Sequence, residues 1–196
     1  MAAVVTDARY RMALAVIRSL GRAGVRVKAV QVGAAGAEVL GFYSRYTGQR
    51  FSLPAPADRA AHAVALVRLG QKGEVLIPVT LESVLTAAEQ RGVLEKVFHL
   101  AVAPPESIAL ANDTARLLEL AASLGVPIPA TTALAPGESV EALAARVSFP
   151  AVVKYRAGEE LRLPPQERYA IVRGAAEFVE VYTRMHTRKP FPLVQE

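Results

Sequence analysis

Residues 2–32 read AAVVTDARYRMALAVIRSLGRAGVRVKAVQV, and the architecture follows from how that stretch is parsed. Ala2 to Thr6 is a short β-branched run, which predicts a strand. From Ala8 to Leu20 the apolar residues Met12, Ala13, Val16, Ile17 and Leu20 recur at helical spacing, with Thr6 or Asp7 as the cap and Gly21 or Gly24 as the stop. Val25 to Val32 predicts a second strand. Strand, helix and strand in this order make a βαβ unit, which implies parallel pairing through a right-handed crossover.

The same alternation continues downstream. Gly33 to Gly41 is rich in turn residues, and Phe42 to Leu53 suits either a short edge strand or an ordered loop. Ala57 to Leu69 has helical spacing through Ala60, Val64, Val67 and Arg68; Glu74 to Val79 is a strand, Leu81 to Gln90 a helix, and Val97 to Val102 a strand ending at Pro104-Pro105. Residues 1–103 therefore predict an open, doubly wound α/β domain with a parallel, Rossmann-like sheet. Residues 104–196 change character. Asn112-Asp113 caps a helix from Thr114 to Leu124 that stops at Gly125, and a strand follows at Ala130 to Ala133. A helix to Arg146, a strand from Phe149 to Lys154, a polar loop from Tyr155 to Arg168, a strand to Arg173, a helix to Arg188 and a strand from Pro192 to Gln195 complete an α+β domain.

Composition excludes several classes of protein. The chain has 196 residues, 52% of them hydrophobic, which is enough for a sizeable core. No apolar run approaches the ~18 residues of a membrane span, and the N-terminus lacks the charged start and apolar stretch of a secretory signal, so a cytoplasmic, membrane-free protein is expected. With no cysteine there is no disulfide, thiolate nucleophile or cysteine-based metal site. The net charge of +5 comes from basic residues distributed through every expected element, a pattern that argues against nucleic acid as the partner.

Few residues carry chemistry. The first βα turn, Thr6-Asp7-Ala8-Arg9, has no glycine, and Gly33-Ala34-Ala35-Gly36 lacks the spacing of a dinucleotide fingerprint. Strand ends of such a sheet would still bring together Asp7, Arg9, Thr80, Glu82 and Ser83, although Asp7 and Thr80 also suit helix caps. Lys154 ends the apolar strand Phe149 to Val153, where a charged side chain must meet an anion or reach water. A compact ammonium there suits phosphate. The histidines His62, His99 and His186 form no metal-ligand pair, and His62 and His186 read as solvated helix residues. No serine lies in a nucleophile elbow, and Glu159, Glu160 and Arg162 read as a solvated loop tip.

Asn112-Asp113-Thr114-Ala115-Arg116, Leu120-Ala121 and Gly125-Val126-Pro127-Ile128-Pro129-Ala130-Thr131 together resemble the entry to an ATP-grasp domain. Phe149-Pro150-Ala151-Val152-Val153-Lys154 is similar to that superfamily's lysine strand, and Pro192-Leu193-Val194-Gln195-Glu196 to the strand leading to its adenine-binding hinge. Val4-Val5-Thr6-Asp7, Ser44-Arg45-Tyr46 and Val75 through Glu82 resemble the domain that precedes the clamp in its carboxylate-amine ligases, relatives of biotin carboxylase and the large subunit of carbamoyl-phosphate synthetase. The resemblance implies ATP and Mg²⁺ as cofactors and a small carboxylate, activated as an acylphosphate for attack by an amine. It places Lys154 on the α/β-phosphates, Thr114 near them, Gln195 and Glu196 at the adenine, and substrate near Asp7, Arg9, Glu82 and Ser83. Many relatives carry lysine where this chain has Thr114, and the expected phosphate-covering loop has only Gly158. The Mg²⁺ ligands and a catalytic arginine are expected in a second lobe that the 196 residues do not include. The expectation is a truncated ligase portion that does not turn over alone and whose uncovered apolar surface invites self-association. The alternative is a non-catalytic α/β binding module derived from the fold.

Overall fold

The structure, a computed structural model, describes residues 2–33, 38–156 and 163–196. Two compact units divide at Ile108 and Ala109. The division falls inside a helix, α5 (Pro105–Asn112), that the sequence reading leaves unassigned beyond Pro104-Pro105. Pro105 occupies its first position, where the missing amide hydrogen costs no helical bond.

The first unit is a five-stranded parallel sheet in the order β3-β2-β1-β4-β5, built from β1 (Ala2–Val5), β2 (Arg26–Val32), β3 (Thr47–Leu53), β4 (Glu74–Ile77) and β5 (Phe98–Leu100). The ambiguous segment after Gly41 resolves into a 3₁₀ turn (Leu40–Tyr43) and the edge strand β3. Between strands lie α1 (Arg11–Arg22), α2 (Arg59–Leu69), α3 (Leu81–Glu89) and α4 (Arg91–Leu94). The helix expected from Leu81 to Gln90 thus gains a separate short turn beyond it.

Right-handed crossovers put α1 on one face of the sheet and α2, α3 and α4 on the other. Val5, Ala13, Ile17, Val27 and Ala29 pack beneath α1, while Val4, Val30, Ala63, Leu66, Leu76 and Ala87 pack on the opposite face. Neither Thr6 nor Asp7 caps α1, contrary to the sequence reading; its N-cap is Tyr10, whose side chain makes no capping bond. Gly21 is not the stop either. It lies inside α1, and a Cβ there would sit 2.3 Å from Cβ of Tyr46, so glycine permits the helix to ride directly over that ring. Gly24, at φ 78°, supplies the left-handed turn.

One polar pair lies within this core. Lys28 of β2 donates to Glu74 at the start of β4, with Nζ 2.9 Å from both carboxylate oxygens, and its Nζ also lies 3.3 Å from the Leu69 carbonyl. The amide of Gln71 donates to Oε2 of Glu74 at 2.9 Å, so the buried carboxylate is well satisfied. Side-chain exposures of 9% and 6% place the pair where neither charge is solvated alone.

The second unit carries an antiparallel sheet in the order β6-β9-β7-β8, from β6 (Thr131–Ala133), β7 (Ala151–Lys154), β8 (Tyr169–Val172) and β9 (Leu193–Gln195). Its helices are α6 (Thr114–Ser123), α7 (Val140–Ala145) and α8 (Ala175–Arg188). Asp113 caps α6 by accepting from the amides of Ala115 and Arg116, and Ser139 caps α7. Val153, Val172 and Val194 pack under Leu143, Phe178, Tyr182 and Met185. The Tyr182 hydroxyl accepts from the Leu134 amide at 3.1 Å and donates to the Pro192 carbonyl at 3.0 Å, tying α8 to the adjoining ends of β6 and β9. His186 is half-buried rather than solvated: it stacks on Tyr182, and its Nδ1 accepts from the Phe191 amide at 3.1 Å. The expected loop tip with Gly158, Glu159, Glu160 and Arg162 lies outside the described residues. Among the described residues, no helix is long and apolar enough to cross a membrane.

Removing one partner of the buried pair leaves the other charge uncompensated. Glu74→Ala is expected to lower unfolding free energy by about 3–5 kcal/mol in urea titration, and Lys28→Met with Glu74→Leu to recover most of it.

Candidate functional site

The parallel sheet reverses its direction of construction between β1 and β4, and the strand ends there form the crevice where such folds place ligands. Asp7, Thr80 and Ser83 are brought together at this point. Asp7 adopts φ 58°, a left-handed conformation that aspartate tolerates better than most residues. Its Oδ2 accepts from the Thr6 hydroxyl at 2.6 Å, the Thr80 amide at 3.0 Å and the Val79 amide at 3.4 Å. This carboxylate braces one strand end against the next. Thr80 caps α3, its Oγ1 accepting from the buried Ser83 amide at 3.4 Å.

Arg9 lies two residues beyond Asp7. Its amide donates to Oε1 of the buried Gln31 at 3.0 Å, and its guanidinium lies 4.6 Å from the centroid of the Tyr10 ring. Glu82 turns outward in the first turn of α3 and pairs at 2.9 Å with Arg59 of α2, which also pairs with Glu89.

His62 is a buried residue that the sequence reading places in solvent. α2 carries small or apolar residues on most of its circumference, so their spacing does not fix its phase: Val64 is exposed, and the inward residues are His62, Ala63 and Leu66. The Nδ1 of His62 lies 3.4 Å from the Thr86 hydroxyl, while Nε2 has no partner among the described residues. Burial pushes the imidazole below its usual range, against the opposing pull of Asp7 and Glu82.

The second sheet offers a different surface. Val153, Val172 and Val194 face the helices, so by strand alternation Lys154 and Val152, Tyr169 and Ile171, and Leu193 and Gln195 share the opposite face. Tyr169 and Ile171 are 52% and 50% exposed on it. Lys154 pairs in register with Tyr169 on one side and Leu193 on the other. Its ammonium has no partner among the described residues, and partial burial holds it below the usual lysine range. A cation partly withdrawn from water and left unpaired is one whose desolvation no protein carboxylate offsets. Gln195 lies opposite Val152, and its Nε2 donates to Thr131 Oγ1 at 3.1 Å; the exposed Glu196 follows, its amide donating to the Ala130 carbonyl.

Thr114 is also brought to this end of β7, because its amide donates to the Arg156 carbonyl at 3.1 Å. Arg156 is a second cation, one that the sequence reading does not single out. Its guanidinium nitrogen lies 3.2 Å from both oxygens of Asp113, whose carboxyl is held low: burial acts to raise it, but the Arg116 amide and Arg156 outweigh that effect. The signal that could have found it is its position two residues after Lys154, on the same side of an extended chain.

The sequence matches no protein-family model, and no curated protein matches it. Solved structures do: the fold is that of the N-terminal portion of ATP-grasp ligases. N5-carboxyaminoimidazole ribonucleotide synthetase from Thermus thermophilus superposes with a TM-score of 0.67 at 17% identity, covering 100% of this chain and 46% of that one. The biotin carboxylase domain of Hydrogenobacter thermophilus 2-oxoglutarate carboxylase, solved with MgADP, ADP and bicarbonate, gives 0.67 at 17% identity over 98% of this chain and 43% of that one. L-amino acid ligase from Bacillus licheniformis gives 0.64 at 13% identity over 100% of this chain and 44% of that one. The chain spans less than half the length of these structures.

The buried His62 sets a pH dependence. Its folded pKa is depressed, so the unfolded chain binds more protons below about pH 6.5, and the stabilisation present above that pH is lost as pH falls toward the folded value. The melting temperature is expected to drop between pH 7 and 5 in the wild type, with a visibly shallower slope in His62→Phe by calorimetry.

Proposed function

We propose that this chain is the nucleotide-binding front portion of an ATP-dependent carboxylate-amine ligase. Residues 1–103 form its leading domain and 104–196 the first lobe of its nucleotide clamp. The observation that carries the reading is Lys154, a half-buried ammonium without a partner among the described residues, on the sheet face opposite the helix-packed core. In this reading Lys154 binds the α/β-phosphates, and the exposed Tyr169 and Ile171 beside it help to exclude water from them. Gln195 and Glu196 approach the adenine, and Thr114 stands close to the phosphates at the capped start of α6. The helix end adds partial positive charge there, and Arg156 supports the cationic character that a lysine at position 114 would have supplied.

The substrate would be a small carboxylate held at the end of β1. Arg9 is the cation available to it, while Asp7 and Ser83 shape the edge and Glu82 acts through its pair with Arg59. One carboxylate oxygen attacks the γ-phosphorus and ADP leaves; the amine then attacks the acyl carbon of the acylphosphate, which expels phosphate and loses a proton. Among the described residues, no group of three His, Cys, Asp or Glu could hold a metal ion, so no step is assigned to a metal bound by these side chains. Mg²⁺ would arrive with the nucleotide. None of the described residues is assigned to acyl transfer in this proposal, and the 196-residue protein is expected to bind nucleotide without turning over.

Thermal-shift titration tests the assignment directly. Ligand at about 100 times Kd stabilises by about 2.7 kcal/mol, which for a protein of this size is a rise of about 5–10 °C with Mg²⁺-ATP and less with Mg²⁺-GTP. Lys154→Ala is expected to weaken binding about tenfold or more, the loss of one charge-assisted contact. Absence of any shift with ATP in either protein defeats the nucleotide reading and favours a binding module without nucleotide.

A further inference from the structure

Basic residues lie on both faces of the first unit's sheet, but its fold divides the acids unevenly between them. Asp58, Glu82, Glu89 and Glu95 belong to α2, α3, α4 and their flanks on one face of the sheet; Glu82, Glu89 and Glu95 pair there with Arg59 and Arg91. The other face is different. Between Ala8 and Ala57 the only acid in the sequence is Glu38, and α1 contains none.

On α1 the inward residues are Ala13 and Ile17, so Arg11, Arg18 and Arg22 lie along the opposite, solvent-facing line, separated by seven and four residues. The line is roughly 16 Å long at ~1.5 Å per residue. It continues onto neighbouring elements. Arg45 donates to the Tyr46 hydroxyl at 2.7 Å, and Arg45 foremost, with Arg22, holds that phenol below its usual range, so the two guanidiniums converge on one oxygen. Arg50 of β3 shares a register position with Ala29 on the α1 face and donates to the Phe42 carbonyl at 2.7 Å. None of these five arginines has a carboxylate partner among the described residues. Tyr43, 75% exposed, lies in the 3₁₀ turn between Phe42 and Arg45.

We propose that this arginine face docks the phosphate backbone of single-stranded nucleic acid. Guanidinium forks match phosphate oxygens and keep their charge at any physiological pH. A line of roughly 16 Å, extended by Arg45 and Arg50, lets the cations track successive phosphates of one strand, and an exposed tyrosine beside it gives a base a ring to stack on. A membrane surface fits less well: the residues between the arginines on the outer line of α1 are the small Ala15 and Ser19, and Met12, 58% exposed, is the one large apolar side chain that α1 exposes, too little to insert a face among lipids. A lone row of cations beside one aromatic also favours an accessible strand over a duplex, whose bases are already stacked.

Fluorescence anisotropy with labelled oligo-dT and oligo-U of about 15 nucleotides tests this on the intact 196-residue protein. Five neutralised phosphates predict a slope of log K against log salt of about −3.5, or roughly a 100-fold loss of affinity between about 50 and 200 mM salt. Arg18→Ala with Arg22→Ala is expected to reduce the slope to about −2, and Tyr43→Ala to cost about tenfold without changing it. Arg68→Ala, on α2, leaves both unchanged; circular dichroism confirms each fold. No binding, a slope indifferent to Arg18 and Arg22, or tighter binding to duplex DNA, anionic vesicles or polyglutamate overturns the proposal.

Discussion

Burial of β1 from Ala3 to Val5 is the constraint on which the first unit depends. Val4 and Val5 point to opposite faces of the sheet and neither is exposed, so the strand cannot end by drifting into solvent. It ends instead at the reversal point of the sheet, where its last donors and acceptors must be met by protein. Dinucleotide-binding folds meet that demand with glycines and a phosphate. Here Asp7 takes the left-handed conformation, and one carboxylate oxygen gathers a hydroxyl and two amides from the neighbouring strand end. The strand end is thereby satisfied by the chain's own side chain rather than by a bound group.

The second sheet obeys the opposite rule. Its core of Val153, Val172, Phe178 and Tyr182 lies on one face, against α7 and α8, and on the opposite face Tyr169 and Ile171 are exposed while Leu193 is buried. Alternation along β7 then forces Lys154 onto the face opposite that core. A lysine buried on the helix face would need a carboxylate, as Lys28 needs Glu74; Lys154 has none among the described residues and is only partly withdrawn from water. A cation so placed costs modest desolvation and keeps its attraction for an anion intact.

Much of this is readable in the sequence because it depends on period and punctuation. The βαβ opening, the Asp113 cap, the glycine stop at Gly125 and the lysine at the end of an apolar strand are each local signals with a physical cause. What cannot be read depends on distance in space. Asp7 looks like a helix cap because aspartate commonly is one; that its acceptor capacity goes to Val79 and Thr80, far along the chain, is a consequence of β1 lying beside β4. Gly21 looks like a stop because it follows a periodic run, whereas its role is set by the Tyr46 ring beneath it. His62 is misplaced by its sequence context because a helix rich in alanine and valine has no unique inward face until something packs on it.

Partner, rather than position in sequence, separates the protein's positive charges into three kinds. Lys28 is paired and buried, and its energetics are those of a structural ion pair whose loss of one member is costly. Arg59, Arg91 and Arg146 are paired and partly exposed, Arg146 holding the Glu138 carboxyl down to about 2, and such pairs fix local geometry while adding little net stability. Lys154 and the arginines of the α1 face have no carboxylate partner among the described residues. The net charge of +5 thus combines charges of very different standing: those paired within the fold are fixed by a carboxylate, whereas Lys154 and the α1-face arginines keep their field directed outward.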